Sequence, residues 1–503
     1  MGLMTEAVWF RAILAAIPIM AVFLLMGAWR WPAHKAALAG LGLAILLALA
    51  VWRYPLGAAL SAILYGLALG LFPIIYIIAT SLFLYNLTAV SGWAEQLQAS
   101  LSETMPNRYY LLLLIGFSFT AFLDSTAGFL TPVTVGTALL VGLGVPALEA
   151  AAYTLVSSSL PPIFGAMGIP VVVLSEVSEV PLLPLAQLQA IAAGLLFVFF
   201  PAWLTLAFGG RAALRALWLP ALLAGAAHGL ALWATATYIS FYPAGVFGAA
   251  ASLLVLLALS RRYRDPAGLA EQPARPHAAR PWWPYILLMG IVSLWSVPLI
   301  SSWLGEFTLF IPFPSLLPDT RLKLDWLASP ATAILVAALL VIFIGRLTWT
   351  QAELAVRLTA RQLRYPLVSM LAMLALAQVM SFSGMTSALG GAVASSGVIF
   401  PFVSPYLSWL GSAIAGSNTA SNAILGRLQA TTAAQLGLDV LQVTALAGVA
   451  APLGKMVAPQ VIAAAMGAGG LKGEEGRLLR SGLYHSLLWV MFVAIAGLAL
   501  AVF

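Results

Sequence analysis

Residues 111–145 read LLLLIGFSFTAFLDSTAGFLTPVTVGTALLVGLGV, an apolar stretch that is interrupted near its middle by Asp124-Ser-Thr-Ala-Gly128. A membrane-spanning helix needs roughly 20 mostly apolar residues, so the stretch is longer than one crossing requires. Pro132 follows the interruption closely. Irregular backbone at membrane depth is tolerated only where it is buried in protein or lines a cavity. The stretch therefore predicts a broken membrane segment beside a polar cavity.

The composition agrees with a protein in which membrane segments recur. Of 503 residues, 62% are hydrophobic and 8% are charged, whereas soluble domains carry about 25% charged residues. We therefore predict an all-α polytopic membrane protein with about 12 to 14 transmembrane helices. The clearest candidate spans are residues 9–26, 36–52, 73–90, 184–208, 245–259, 285–300, 330–344, 365–382 and 483–503.

Several function classes are excluded or disfavoured by residues that the chain lacks. It contains no cysteine, so disulfides, thiolate metal sites and cysteine nucleophiles are excluded. Its four histidines show no metal-ligand spacing. No G-x-S-x-G or Walker A sequence occurs, which disfavours a hydrolase or an ATP-driven pump. We expect no enzyme activity, no bound metal and no organic cofactor.

Basic residues concentrate in alternate loops, which is the positive-inside pattern. The basic loops, predicted to be cytoplasmic, are residues 28–35, 209–215, 260–281 and 346–364. The loops poor in Lys and Arg, predicted to face outward, are residues 175–183, 238–243 and 301–329. Membrane orientation therefore explains the net charge of +7, and no nucleic-acid partner is expected. The pattern predicts a multi-pass protein of a bacterial inner membrane, surrounded by lipid.

The chain divides near its middle. Residues 260–281, rich in Arg, Pro and Ala, are predicted to form a cytoplasmic linker between transmembrane halves at 1–259 and 282–503. Each half carries three matched blocks in the same order. In the first half they are Phe122-Leu-Asp-Ser-Thr-Ala-Gly128, Gly144-Val-Pro-Ala-Leu-Glu149 and Gly165-Ala-Met-Gly-Ile-Pro170. In the second they are Ala415-Gly-Ser-Asn-Thr-Ala-Ser421, Gly437-Leu-Asp-Val-Leu-Gln442 and Gly454-Lys-Met-Val-Ala-Pro459.

These blocks predict two repeats, with cores at about 111–175 and 398–470, that have opposite orientations. The loop after the first copy is acidic, with Glu176 and Glu179, whereas the loop after the second carries Lys472, Arg477 and Arg480. Inverted repeats with broken helices or hairpins are typical of secondary transporters, which bind their substrate near the bilayer midplane and work by alternating access. We expect the two broken segments to meet across a central cavity. An anion channel would not need such repeats.

Three charged residues are candidates for chemistry. Asp124 is the only acid in residues 111–145, and because a membrane carboxylate costs about 2.5–3.5 kcal/mol, such groups are usually functional; a helix cap is the alternative. Lys455 can pair with a substrate carboxylate, or form a structural ion pair or snorkel to the interface. Arg427 can bind a carboxylate in bidentate fashion or lie at a hairpin end in a cytoplasmic vestibule.

A dense set of amides and hydroxyls surrounds the second break. Such groups can bind a hydroxyl and carboxylate oxygens together, or they can hold helices together as polar contacts. The set comprises Ser417, Asn418, Thr419, Ser421 and Asn422, and the corresponding hydroxyls of the first break are Ser125 and Thr126.

Several motifs resemble those of the bacterial lactate permease family, and the resemblance runs through nearly the whole chain. Among them are Asp124-Ser-Thr-Ala-Gly-Phe-Leu-Thr-Pro132, Phe164-Gly-Ala-Met-Gly-Ile-Pro170, Gly416-Ser-Asn-Thr-Ala-Ser-Asn-Ala423, Gly454-Lys-Met456 and Pro459-Gln460. The resemblance implies symport of protons with L-lactate, glycolate or a related 2-hydroxy monocarboxylate, without ATP. It also adds Gln460 to the expected substrate-binding residues.

The chain departs from the family pattern at two positions that bear on coupling. Asp124 stands where the family usually has Glu, and Asn418 stands where it has Asp. Because Asn418 cannot titrate, Asp124 is expected to carry proton coupling alone. Sodium is the alternative coupling ion, since hydroxyls, carbonyls and Asp124 can also coordinate it. The preferred monocarboxylate and the oligomeric state stay open.

Overall fold

The computed structural model describes residues 2–96, 108–128, 130–263, 280–316 and 320–502. Most of the expected linker, residues 264–279, lies outside the described residues, as do Phe129 of the first broken segment and Phe503 at the end of the last predicted span.

The described part of the chain is almost entirely helical, as predicted. In the first half the helices are α1 (Gly2–Gly27), α2 (Ala33–Ala50), α3 (Leu56–Leu69), α4 (Tyr76–Val90), α5 (Arg108–Leu111), α6 (Thr120–Thr126), α7 (Thr131–Gly142), α8 (Ala147–Ser157), α9 (Gly165–Ser178), α10 (Leu182–Tyr238) and α11 (Ala244–Leu259). In the second half they are α12 (Trp283–Trp295), α13 (Pro298–Gly305), α14 (Pro330–Gly345), α15 (Trp349–Phe382), α16 (Met385–Val393), α17 (Phe400–Ala415), α18 (Asn418–Gln435), α19 (Val440–Ala450), α20 (Pro459–Gly469) and α21 (Glu475–Val502).

Tighter or wider helical turns join several of these helices. The π-helical turns are Gly70–Ile75 and Leu112–Phe119, and the 3-10 turns are Pro161–Phe164, Ser260–Tyr263, Arg280–Trp282, Ala394–Ile399 and Ala451–Val457. The structure also contains an antiparallel hairpin that the sequence reading did not predict. It pairs β1 (Leu309–Pro312) with β2 (Arg321–Leu324), with Leu309 opposite Leu324.

Ten helical stretches of the described residues are long and apolar enough to cross a membrane, and the pair α12 and α13 can form an eleventh. The predicted span at 285–300 is not one straight helix, because the chain bends by 72° between α12 and α13. The predicted spans at 245–259 and 330–344 fall on α11 and α14, which have only 16 residues each. The predicted basic loop at 346–364 is largely helical, since α15 begins at Trp349 after a capping box at Thr348.

The long helix α10 folds back on itself, and its 57 residues are enough for two crossings. Gly210 breaks it with φ 70° and ψ −173°, a backbone conformation that favours glycine. The two arms then pack backbone to backbone, because a Cβ built on Gly194 would lie 3.2 Å from the carbonyl oxygen of Gly229. At 1.5 Å per residue, the arm from Leu182 to Gly209 is about 40 Å long. That length exceeds the hydrocarbon core of about 30 Å, so the ends of this arm mark opposite faces of the protein.

The three loops predicted to face outward meet at the Leu182 end of this arm. A cavity of about 420 Å³ is lined by Glu176 and Glu179 from one loop and by Arg321 from another. Burial raises the pKa of the Tyr242 phenol, and the nearby carboxylates of Glu176 and Asp325 raise it further. We call this end the predicted outer face.

Loops predicted to be cytoplasmic also meet one another. The rings of His34 and Tyr365 stack 4.9 Å apart, which joins residues 28–35 to α15. Near the other end of the α10 arm, a Cβ on Gly209 would lie 3.0 Å from the ring of Tyr109. The Tyr110 ring stacks on Tyr263 at 5.7 Å. We call the end that contains Tyr109 and Gly209 the predicted inner face.

The two expected repeats show the same succession of elements. A helix ends at the broken segment, two helices follow, and then a 3-10 turn and a further helix: α6 to α9 in the first copy and α17 to α20 in the second. Their packing is reciprocal, because α9 packs on α18 while α20 packs on α7 and α8. The remaining helices do not separate by half, since α2 and α3 pack on α15 and α4 packs on α14.

The close approach within α10 makes a stability prediction. Gly229→Ala introduces a Cβ that overlaps the backbone of Gly194, so the arms must separate, at a cost of about 1–3 kcal/mol. Gly290→Ala is the matched control, because nothing lies within 4 Å of a Cβ at that helical position. Thermal unfolding in detergent should show a clearly lower melting temperature for Gly229→Ala and an unchanged one for Gly290→Ala. Equal melting temperatures for the two variants would contradict the hairpin packing.

Candidate functional site

Asp124 lies at the point where the first broken segment leaves the helix. It sits in the last turn of α6, and only 1% of its surface is exposed. The backbone turns away at Gly128, which has φ 64°. Gly165 makes room for the carboxylate, because a Cβ at that position would lie 2.5 Å from Asp124 Oδ2. Gly165 is thus a site residue that the sequence reading did not single out for this role.

Lys455 reaches Asp124 from the other half of the chain. It lies in the 3-10 turn Ala451–Val457 and is 5% exposed. Its Nζ is 3.7 Å from Asp124 Oδ1, beyond the usual hydrogen-bond range. Within the described residues, neither oxygen of Asp124 has a hydrogen-bond partner. The pair is therefore fully buried but loosely held, although buried charges normally need both pairing and hydrogen bonds.

Asn418 and Asn422 attach the second broken segment to the first half. Asn418 Nδ2 donates to the carbonyl oxygen of Pro162 at 3.0 Å, and Asn422 Nδ2 donates to that of Pro170 at 2.9 Å. The side-chain carbonyl oxygens of both asparagines are buried without a hydrogen-bond partner among the described residues. The backbone between these two prolines is irregular, with positive φ at Ala166 (43°) and Met167 (60°). Such strained backbone clusters at functional sites.

The two contacts that join the copies are reciprocal. Asp124, at the first break, faces the 3-10 turn of the second copy through Lys455. Asn418, at the second break, bonds to Pro162 in the 3-10 turn of the first copy. The two 3-10 turns also contact each other. Both broken segments therefore meet at one buried centre.

The predicted hydroxyl residues divide into two groups. Ser125 and Thr126 lie beside Asp124 and donate to carbonyl oxygens of their own helix, those of Ala121 at 2.8 Å and Phe122 at 2.9 Å. Ser421 instead donates to the carbonyl oxygen of Ser408 at 2.8 Å and so joins α18 to α17. Ser421 therefore makes a polar contact between helices, which was the alternative to substrate binding for the amide and hydroxyl residues of the second break.

The remaining residues of the second break lie nearer its surface. Ser417 caps α18 by accepting a hydrogen bond from the Ala420 N–H at 3.3 Å, and Thr419 is half-buried in the first turn. Gln460 is exposed, and its Nε2 donates to the carbonyl oxygen of Ile414 at 3.4 Å. Gln460 therefore braces the break from outside the buried centre.

Arg427 does not join Lys455. Its guanidinium pairs with Glu179 at 2.6 Å, and the side chains of Arg427 and Glu179 are 26% and 66% exposed. Arg427 lies nine residues beyond Asn418 in α18, about 13 Å along the helix. Glu179 belongs to the predicted outer face, so Arg427 lies toward that face and not in a cytoplasmic vestibule.

Metal-binding groups are not gathered at this centre. In the described ranges no cluster of three or more His, Asp and Glu side chains could hold a metal ion. The centre instead offers one cation, one carboxylate, the amide carbonyl oxygen of Asn418 and the N-terminus of α18. This combination suits a small anion that also carries a hydrogen-bond donor. Asn422 lies one helical turn farther along α18, against Pro170, outside this centre.

Comparisons with known proteins find similarity over nearly the whole chain. The L-lactate permease family profile matches residues 11–503. An L-lactate permease of Bacillus subtilis is 32% identical over 532 aligned positions, covering 96% of this chain and 94% of that protein. An L-lactate permease of Escherichia coli K12 is 31% identical, covering 97% and 95%. The glycolate permease GlcA of the same strain is also 31% identical, covering 97% and 95%.

The pair between Arg427 and Glu179 predicts a charge-swap effect. Arg427→Glu places two acids in contact and should lower the melting temperature, whereas Arg427→Glu with Glu179→Arg should recover it, with a coupling of about 0.2–1 kcal/mol. Arg357→Glu is the control for an ion pair that does not join two parts of the fold, because its partner Glu353 lies on the same exposed surface of α15. A double variant no more stable than Arg427→Glu alone would show that the pair contributes nothing to folding.

Proposed function

The chain belongs to the L-lactate permease family, and from this membership we propose that it carries lactate, glycolate or a related 2-hydroxy monocarboxylate together with a proton. It is a multi-pass protein of the bacterial cytoplasmic membrane. The observation that carries the proposal is the loose, buried ion pair of Asp124 and Lys455 where the two broken segments meet.

Lys455 receives the carboxylate of the substrate in this proposal. Its ammonium is buried, and the carboxylate of Asp124 is 3.7 Å away and has no hydrogen-bond partner in the described residues. A second carboxylate can therefore compete for the same cation. The N-terminus of α18, which begins at Asn418, adds backbone N–H groups and the positive end of a helix dipole.

Charge balance at the buried centre explains why a proton accompanies the anion. The empty centre is neutral, because Asp124 and Lys455 carry opposite charges. Binding the anion alone would leave one uncompensated negative charge away from water, which is expensive. If Asp124 takes up a proton when the anion binds to Lys455, the loaded centre is neutral again. The proposed carrier therefore moves one proton with each monocarboxylate.

Alternating access is supported by the arrangement of the two copies. The first copy ends at Glu176 and Glu179 on the predicted outer face. The second copy ends near Gly469, where a Cβ would lie 3.5 Å from the carbonyl oxygen of Ala147; the nearby Glu149 pairs with Arg108 on the predicted inner face. Together with the reciprocal packing of α9 on α18 and α20 on α7, this favours inverted repeats that rock about the central pair.

Substitution of Lys455 tests the anion site. Lys455→Met alone leaves Asp124 buried without a partner, which costs about 3–5 kcal/mol, so the informative variant is Lys455→Met with Asp124→Asn. This double variant has a neutral centre, and we expect it to fold and to show no saturable lactate binding in calorimetry. Wild-type affinity in the well-folded double variant would overturn the assignment of Lys455.

Substitution of Asp124 tests the coupling. In Asp124→Asn the centre without substrate carries the uncompensated charge of Lys455, which destabilises the fold. Binding of the anion alone restores neutrality, so the variant is purified and reconstituted with lactate present. We expect lactate binding that no longer depends on proton uptake at position 124. We also expect exchange of internal for external lactate and no accumulation driven by a proton gradient. Uptake of labelled lactate into proteoliposomes measures all of these.

The same proteoliposomes distinguish the coupling ion. Wild-type protein should accumulate lactate when a proton gradient is imposed and should not respond to a sodium gradient. Accumulation driven by a sodium gradient alone would show that the coupling ion is Na⁺ and not the proton. Proton-driven accumulation at the normal rate in Asp124→Asn would remove Asp124 from the coupling step.

A further inference from the structure

We propose that Asn418 recognises the 2-hydroxyl group of the transported acid, with its side-chain oxygen Oδ1 accepting the hydrogen bond that the hydroxyl donates. The inference rests on the proposed function and adds to it a specific basis for substrate selection. It assigns the carboxylate and the hydroxyl of the substrate to two different residues, Lys455 and Asn418.

The orientation of the Asn418 amide is fixed by the first half of the chain. Its Nδ2 donates to the Pro162 carbonyl oxygen at 3.0 Å, which directs Oδ1 away from that carbonyl. The side chain is 3% exposed, and Oδ1 has no hydrogen-bond partner in the part of the chain that the structure describes. A buried carbonyl oxygen left without a donor is unfavourable. A ligand whose hydroxyl group donates a hydrogen bond to Oδ1 would satisfy this oxygen.

Asn418 and the charged pair lie against the same turn. Asn418 bonds to Pro162 near the start of this turn, and Asp124 packs against Gly165 at its end. Three residues of a 3-10 helix span about 6 Å. The turn also contacts the turn that holds Lys455. A 2-hydroxy acid carries its hydroxyl on the carbon next to the carboxylate, so a molecule of this size can contact both residues.

The chemistry of Oδ1 predicts a definite order of substrates. Oδ1 only accepts hydrogen bonds. A 2-hydroxy acid supplies a donor, an unsubstituted acid leaves Oδ1 unpaired, and a 2-keto acid places a second acceptor against it. Sites built around a substrate hydroxyl discriminate strongly against analogues that lack it. We expect lactate and glycolate to be preferred over propionate by at least about tenfold, and propionate over pyruvate.

Asn422 provides a matched control. Like Asn418, it donates from Nδ2 to a proline carbonyl oxygen, and its buried Oδ1 has no hydrogen-bond partner within the described ranges. It lies one helical turn farther along α18, and its partner is Pro170, five residues beyond Gly165. Asn422→Leu therefore removes the same kind of contact between the copies without removing the proposed hydroxyl acceptor.

The experiment measures inhibition of labelled lactate uptake in proteoliposomes by unlabelled lactate, glycolate, propionate and pyruvate. In Asn418→Leu the preference for lactate over propionate should fall at least about tenfold, whereas Asn422→Leu should keep the wild-type preference. Equal inhibition of the wild-type protein by lactate and propionate would overturn the inference without any variant. A loss of preference in Asn422→Leu with normal preference in Asn418→Leu would overturn it as well.

These results separate the inference from the function on which it rests. Wild-type protein that takes up neither lactate nor glycolate would refute the proposed function. Uptake of lactate without discrimination against propionate would refute only the role of Asn418. If Asn418→Leu does not fold, the order of the four competitors on the wild-type protein still decides the matter.

Discussion

The rest of the structure depends on one buried ion pair between residues that are far apart in the chain. Asp124 and Lys455 face each other at 3.7 Å with 1% and 5% of their surfaces exposed. Each charge without the other would be strongly destabilising in such a place, because a single buried charge lacks compensation. The pair consequently holds the first broken segment against the 3-10 turn Ala451–Val457 of the second half. The pair is also loose, because the two charged atoms are 3.7 Å apart, and the proposed anion site depends on this looseness.

Two helix–helix interfaces, which we call seams, extend from this centre and differ in chemistry. The seam between α9 and α18 is polar: Asn418 and Asn422 bond to proline carbonyl oxygens, and Arg427 pairs with Glu179 at its end. The opposite seam, where α20 packs on α7 and α8, is apolar, with Val133, Leu155, Val461, Ile462 and Met466 at its core. Directional bonds break individually as a seam opens, whereas apolar packing is lost in proportion to the area exposed. The two seams are therefore held together by different forces.

Much of the site was predictable because broken membrane segments leave a local trace. Asp124, Asn418 and Lys455 stand out as polar residues within four positions of a glycine in largely apolar sequence, and the structure brings all three to one centre. Arg427 has the same chemistry as Lys455, yet it lies about 13 Å from Asn418 along α18 and pairs with Glu179. Gly165 and the carbonyl oxygen of Pro162 were not singled out, because a missing side chain and a backbone atom leave no chemical signature of their own.

The sequence by itself determined that the chain is a helical membrane protein, and it predicted a broken segment in each half. Hydropathy and backbone freedom depend on each residue and a few neighbours, so they can be read in one dimension. Only the tertiary structure decided which buried polar groups meet. It placed Lys455 beside Asp124 and directed Arg427 to Glu179. It also engaged the Nδ2 of Asn418 while giving its Oδ1 no partner among the described residues. The physical reason is that these pairings depend on how helices distant in the chain pack together, and that packing is a property of the whole fold.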